Sequence, residues 1–123
     1  MFIFSDNPDE LVKFYTDVLG CKIVNKLEYE KDYGYTIEIC DGGMQIWIAK
    51  HSEVTGRNKD PFRHVINLYT NEINFYLEKA RQYPDVEVIA EPFCMGDIIP
   101  GEERYACTIL DPEGNCLQLM GCL

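Results

Sequence analysis

Histidine is scarce in this chain of 123 residues, with only His51 and His64 present, so any imidazole chemistry must pass through one of two side chains. Basic residues are few as well: 11 against 21 acidic ones, a net charge of −10. That balance repels phosphate backbones and anionic lipid, so neither nucleic acid nor a membrane surface is an expected partner. No apolar run approaches the roughly 20 residues needed to cross a bilayer. The opening segment Met1 to Asp6 lacks a basic stretch followed by a long apolar one, so it does not read as a secretory signal. Six cysteines are present, yet no two have C-x-x-C spacing, which counts against a zinc knuckle or a redox dithiol.

What remains is the composition of an ordinary soluble domain: 46% hydrophobic, 26% charged and 12% aromatic residues. The length fits a single domain over residues 1–123 with one core. Cysteines such as Cys107 lie within apolar strand-like runs, where a free thiol behaves as a small buried hydrophobe. Reduced thiols and the lack of a leader lead to the expectation of a cytoplasmic protein.

Along the chain, Asp6-Asn7-Pro8-Asp9-Glu10 offers a cap, a first-turn proline and acids at the positive end of a helix dipole. Leu11, Phe14, Tyr15, Val18 and Leu19 follow at helical spacing, and Gly20 supplies a stop. Residues 1–5, 21–30, 33–40 and 44–50 read as strands, the last two joined by Asp41-Gly42-Gly43. Residues 51–61 form a polar linker, and then the order recurs. A strand is expected over 62–70, a helix from Asn71 carrying Ile73, Tyr76, Leu77 and Ala80, and strands over 86–89, 105–110 and 116–121. Two βαβββ repeats result, about residues 1–50 and 62–123. One helix covers only one face of a sheet, so the halves are expected to pair.

Asn7-Pro8-Asp9-Glu10-Leu11-Val12-Lys13-Phe14-Tyr15-Thr16-Asp17-Val18-Leu19-Gly20 resembles the first-helix signature of the glyoxalase/bleomycin resistance protein/dioxygenase (vicinal oxygen chelate) superfamily. Asp111-Pro112-Glu113-Gly114-Asn115 resembles its hairpin motif. The resemblance implies an α+β fold in which two βαβββ repeats form a curled, cup-shaped mixed sheet with helices on the outer face. It also implies homodimers, and it covers metalloenzymes and metal-free binders alike.

Family enzymes draw one metal ligand from the first and one from the closing strand of each half. Carried over, those positions fall at Met1, which cannot ligate, at Gln45 and Gln118, and at either His64 or Val65. Alternation favours Val65, because Asn67 and Tyr69 then face the cup while Ile66 and Leu68 pack under the helix. A metal, if present, would rest on Gln45, His64 and Gln118 with no carboxylate, unless Glu38 supplied one, so no cofactor is expected. His51 reads as a solvated loop residue.

The expected cup lining is Gln45, Trp47, Asn67, Tyr69, Cys116, Gln118 and Met120, with Tyr105 and Cys107 joining from a neighbouring strand. An aromatic, amide-lined cavity suits a planar or cationic small molecule. Residues 93–102 read as a flap over the cup or as a loop meeting a second subunit. The leading functional expectation is a metal-free binder of an aromatic or cationic compound. The alternatives are a divergent metal-dependent lyase or isomerase of the glyoxalase type, and a regulatory or assembly module with a filled cup. A thiol nucleophile at Cys107 or Cys116 lacks a nearby imidazole or other cation to activate it.

Overall fold

A computed structural model describes all 123 residues. The chain divides into two compact units, Met1–Arg57 and Asn58–Leu123. The α+β expectation with two βαβββ repeats is the architecture found, and each unit carries its own four-stranded mixed sheet.

In the first unit, β1 (Phe2–Phe4), α1 (Pro8–Asp17), β2 (Lys22–Tyr29), β3 (Asp32–Glu38) and β4 (Gln45–Ala49) follow in sequence, and the sheet order is β1-β4-β3-β2. β1 lies parallel to β4, and the other pairs are antiparallel. α1 begins as its sequence dictates. Pro8 occupies the first turn and the Asn7 side chain accepts from the Glu10 N–H at 3.4 Å. Leu11, Phe14 and Tyr15 are fully buried against a sheet face made of Ile3, Ile37, Ile46 and Ile48. Each of these side chains contributes about 2–3 kcal/mol of apolar burial. Asp9 fastens the helix start to that same face, accepting from the Tyr33 hydroxyl at 2.6 Å and the Tyr35 hydroxyl at 2.5 Å.

The second unit repeats the plan with β5 (Val65–Thr70), α2 (Ile73–Arg81), β6 (Glu87–Cys94), β7 (Tyr105–Leu110) and β8 (Cys116–Gly121) in sheet order β5-β8-β7-β6. β5 starts three residues later than periodicity suggests, since residues 61–64 form a turn and bend, across which Asp60 and Arg63 pair at 2.5 Å. β6 runs on through Pro92 to Cys94, beyond the expected end at residue 89. It is an edge strand with two register shifts, where proline need not cost a ladder hydrogen bond. α2 has no side-chain cap; the carbonyls of Cys122 and Leu123 take the N–H groups of Ile73 and Asn74 at 3.0 and 3.1 Å. Its C-terminal Arg81 grips Glu91 of β6 with two bonds of 2.7 and 3.0 Å.

The Asp111–Asn115 turn locks β7 to β8. Asp111 is completely buried and accepts from the N–H groups of Glu113 and Asn115 at 2.9 Å and from the Asn115 amide. At the far end of the same hairpin, Gly121 has φ +142°, and a Cβ there would stand 2.0 Å from the Thr70 carbonyl oxygen. No helix in the chain is long and apolar enough to cross a membrane.

Candidate ligand-binding faces

Register decides which side chains each sheet turns away from its helix. In the first unit, Trp47 pairs with Phe2 on one side and Thr36 on the other, and Thr36 with Asn25. Opposite residues of a ladder point to one face, so Phe2, Trp47, Thr36 and Asn25 make a row across the open face. Phe4, Ala49, Gly34 and Leu27 make the next row, and Gln45, Glu38 and Lys22 flank the first on its other side.

Three aromatic rings cluster on this face. Phe2 stacks on Phe4 with centroids 5.7 Å apart and meets Trp47 at 5.2 Å, while His51 sets its ring against Phe4 at 4.8 Å. Phe2 is 57% exposed and Phe4 42%, a large apolar surface for side chains whose strand neighbour Ile3 is buried. Ala49 and Gly34 keep the adjoining floor low. A side chain at Gly34 would run into the Ile48 carbonyl, its Cβ only 2.2 Å away. Gln45 donates its amide to Glu38 at 3.3 Å, and Lys22 stands across the ladder from the same carboxylate. Thr36 is 4% exposed, and its hydroxyl has no hydrogen-bond partner.

The second unit's open face follows the same geometry with different chemistry. Asn67, Gln118, Thr108 and Ala90 form its central row. Val65, Cys116 and Leu110 lie on one side of it, and Tyr69, Met120, Ala106 and Phe93 on the other. Tyr69 is 67% exposed and Val65 46%, whereas Ile66 between them is 5% exposed, so alternation resolves in favour of Val65. His64 falls in a bend before the strand, exposed and out of phase with Asn67.

Two expected lining residues are misplaced. Tyr105 stands opposite Gly121 and Cys107 opposite Leu119, so both belong to the face that packs on α2. Their neighbour Thr108 is the residue that pairs with Gln118. Cys116 and Met120 are on the open face but buried, at 3% and 7% exposure, and offer a ligand little surface. All six cysteines are free. Burial pushes the Cys107 thiol up to about 11 and raises Cys116 as well, the reverse of what a nucleophile needs. In residues 93–102, Phe93 and Cys94 finish β6, and Met95–Asp97 form a 3₁₀ turn. The segment is tied back by the Met95 N–H to the Arg104 carbonyl at 2.8 Å, leaving Ile98 71% exposed.

Donor groups for a divalent ion are sparse on both faces. Nowhere do three or more His, Cys, Asp or Glu side chains gather as a metal could require. In the first unit Gln45 engages Glu38; in the second, Gln118 has Asn67 and Thr108 as ladder neighbours and Val65 pairs with Cys116. Neutral amides such as Gln118 and Asn67 are weak donors for such cations.

The sequence of residues 1–119 matches the family model of the glyoxalase/bleomycin resistance protein/dioxygenase superfamily. The chain belongs to that superfamily. Among solved structures, a glyoxylase/bleomycin resistance protein/dioxygenase domain from Frankia sp. EAN1pec superposes with a TM-score of 0.79 at 12% identity, over 100% of this chain and 94% of that one. The trypanothione-dependent glyoxalase I of Leishmania major gives 0.76 at 18% identity, over 98% and 83%. The fosfomycin resistance protein FosX of Mesorhizobium loti gives 0.67 at 12%, over 97% and 86%. Against glyoxalase I mutants from Zea mays the chain spans 43% and 42% of the longer proteins. No curated protein matches. At these identities the superfamily neighbours speak for the fold alone.

Phe2, Phe4, Thr36 and Thr108 were not expected on these faces from the sequence. The alternation of Phe2-Ile3-Phe4 carried a signal for the first two. Thr36 and Thr108 required the hairpin registers, which the turns at Asp41-Gly42-Gly43 and Asp111–Asn115 set.

Proposed function

We propose that this superfamily member is a small-molecule-binding protein that holds an aromatic or cationic compound without a metal. The observation that carries the reading is the aromatic layer of Phe2, Phe4 and Trp47, spread on the first sheet's open face rather than packed into the core. Stacking on such rings rewards planar ligands by about 0.5–1.5 kcal/mol per ring pair beyond area burial, and a cation over a ring face gains a comparable amount. Glu38, held by Gln45, adds a carboxylate at the edge of the layer, opposed across the ladder by Lys22. On the second unit, the side chains of Asn67, Gln118 and Thr108 offer hydrogen-bonding groups between two largely apolar rows. We place this activity in the cytoplasm, in a homodimer.

Trp47 is the only tryptophan, so its fluorescence reports on the layer directly. Titration with planar aromatic compounds, neutral and cationic, should change its emission saturably, while aliphatic cations of equal charge should act weakly. Phe2→Ala should weaken binding of the planar compounds about three- to tenfold, in keeping with one lost ring contact. An unchanged Trp47 spectrum across the whole panel would refute the reading. Light scattering at twice the chain mass would support the dimer.

A further inference from the structure

The hydroxyl of Thr36 has no solvent contact and no hydrogen-bond partner. It is the one such side-chain atom in the chain. Buried polar groups in native proteins are overwhelmingly paired, so an orphan asks for an explanation. Its position supplies one. Thr36 lies between Trp47 and Asn25 in the row that begins at Phe2, so its side chain rises on the same face as the aromatic layer. In the adjoining row Gly34 and Ala49 place almost nothing above the backbone. The hydroxyl thus sits beside a low floor and next to Trp47, the inner ring of the aromatic layer.

We propose that Thr36 is a specificity-determining residue, selecting planar rings whose edge carries a hydroxyl, a carbonyl or a ring nitrogen. A hydroxyl donates one hydrogen bond and accepts others, so it serves each of these groups. A ring without such a group leaves the hydroxyl unpaired in the complex, as it is in the free chain. Reaching Oγ1 requires a neighbour to yield. Trp47, half-buried and paired with Thr36 across the ladder, is the side chain placed to do so. This selectivity rests on the aromatic layer being a ligand-binding face.

The test compares 2-naphthol with 2-fluoronaphthalene, close in shape, by equilibrium dialysis against the wild-type chain, Thr36→Val and Thr36→Ser. The wild type should prefer 2-naphthol by about five- to thirtyfold, the equivalent of one hydrogen bond to an otherwise unpaired group. Thr36→Val should abolish that preference while still binding the fluorinated probe, and Thr36→Ser should retain it. Thermal unfolding gives an independent readout. Valine is nearly isosteric and removes an unpaired hydroxyl, so Thr36→Val should melt no lower than wild type. A preference that is absent in wild type or survives in the valine variant overturns the proposal. So does a valine variant that melts several degrees lower, since the hydroxyl would then be paired in the free protein. Failure of both probes to bind wild type overturns the binding reading itself, and the role of Thr36 with it.

Discussion

Replacing Asp111 by alanine should cost this small protein a large part of its stability, and the structure says how much. The carboxylate is fully buried and takes two backbone N–H groups, of Glu113 and Asn115, both at 2.9 Å, plus the Asn115 side-chain amide at 2.9 Å through its second oxygen. Alanine leaves both backbone donors without that acceptor, at about 1–2 kcal/mol each in partly buried surroundings. The sum is about 2–4 kcal/mol, which lowers Tm by about 8–16 °C for a chain of this size. Asparagine separates geometry from charge. Its carbonyl can still accept from the two backbone groups, but its NH₂ would face the Asn115 amide, so one contact is lost and about 1–2 kcal/mol is expected. Chemical denaturation of the wild type and both variants, with unchanged m-values, measures the differences. If alanine costs less than about 1 kcal/mol, the carboxylate's desolvation cancels its bonds and the turn is held by its backbone alone. Equal costs for alanine and asparagine would show that charge, not acceptor geometry, is what matters.

Other outcomes follow from the same structure. The Tyr33 and Tyr35 hydroxyls, with Lys26 and Lys50 nearby, hold the Asp9 carboxyl below its ordinary value. Its folded pKa therefore lies under the unfolded value of about 3.9, so its contribution is complete above that pH and is lost as pH falls through the folded value. The site is solvent-exposed and the effect small; a Tyr33→Phe/Tyr35→Phe double variant should flatten the acid limb of stability against pH. Gly121→Ala should cost more than about 2 kcal/mol or abolish soluble expression, since its Cβ meets the Thr70 carbonyl oxygen at 2.0 Å. With a thiol-specific disulfide reagent at pH 8, the exposed Cys40 and Cys122 should react quickly. Cys21 and Cys107, both pushed up to about 11 by burial, should react only on unfolding. A fast phase that includes Cys107 would contradict its place under α2.

Much of the fold was legible because its signals are local. The cap at Asn7, Pro8 in the first turn and the spacing of Leu11, Phe14 and Tyr15 specify α1 with no tertiary information. Asp41-Gly42-Gly43 and Asp111–Asn115 mark two hairpins. Strand faces were less legible, because facing is a property of pairs. Alternation alone placed Val65 with Asn67 and Tyr69, since Ile66 and Leu68 are apolar and alternate with them; in the structure Ile66 is buried and Leu68 half-buried. Nothing comparable orders Tyr105-Ala106-Cys107-Thr108, where every second residue is plausible on either face. There the ladder with β8 decided, and it exchanged Cys107 for Thr108. β6 was cut short for a related reason, as Pro92 ends a central strand but is tolerated at an edge.

Strand alternation also has a consequence for how such a protein can change over evolutionary time. On β4, Ile46 and Ile48 answer to the helix, while Gln45 and Trp47 answer to whatever lies above the sheet. On β8, Leu117 and Leu119 are bound in the same way, while Gln118 faces away from the helix. Selection can therefore rewrite one set of positions for a new compound without renegotiating the hydrophobic interior. The repeat doubles the opportunity: one open face carries rings and the other amides, on backbones of the same strand order. A scaffold that separates shape from taste can present the same form with very different sequences, as the fold shared at 9–20% identity illustrates.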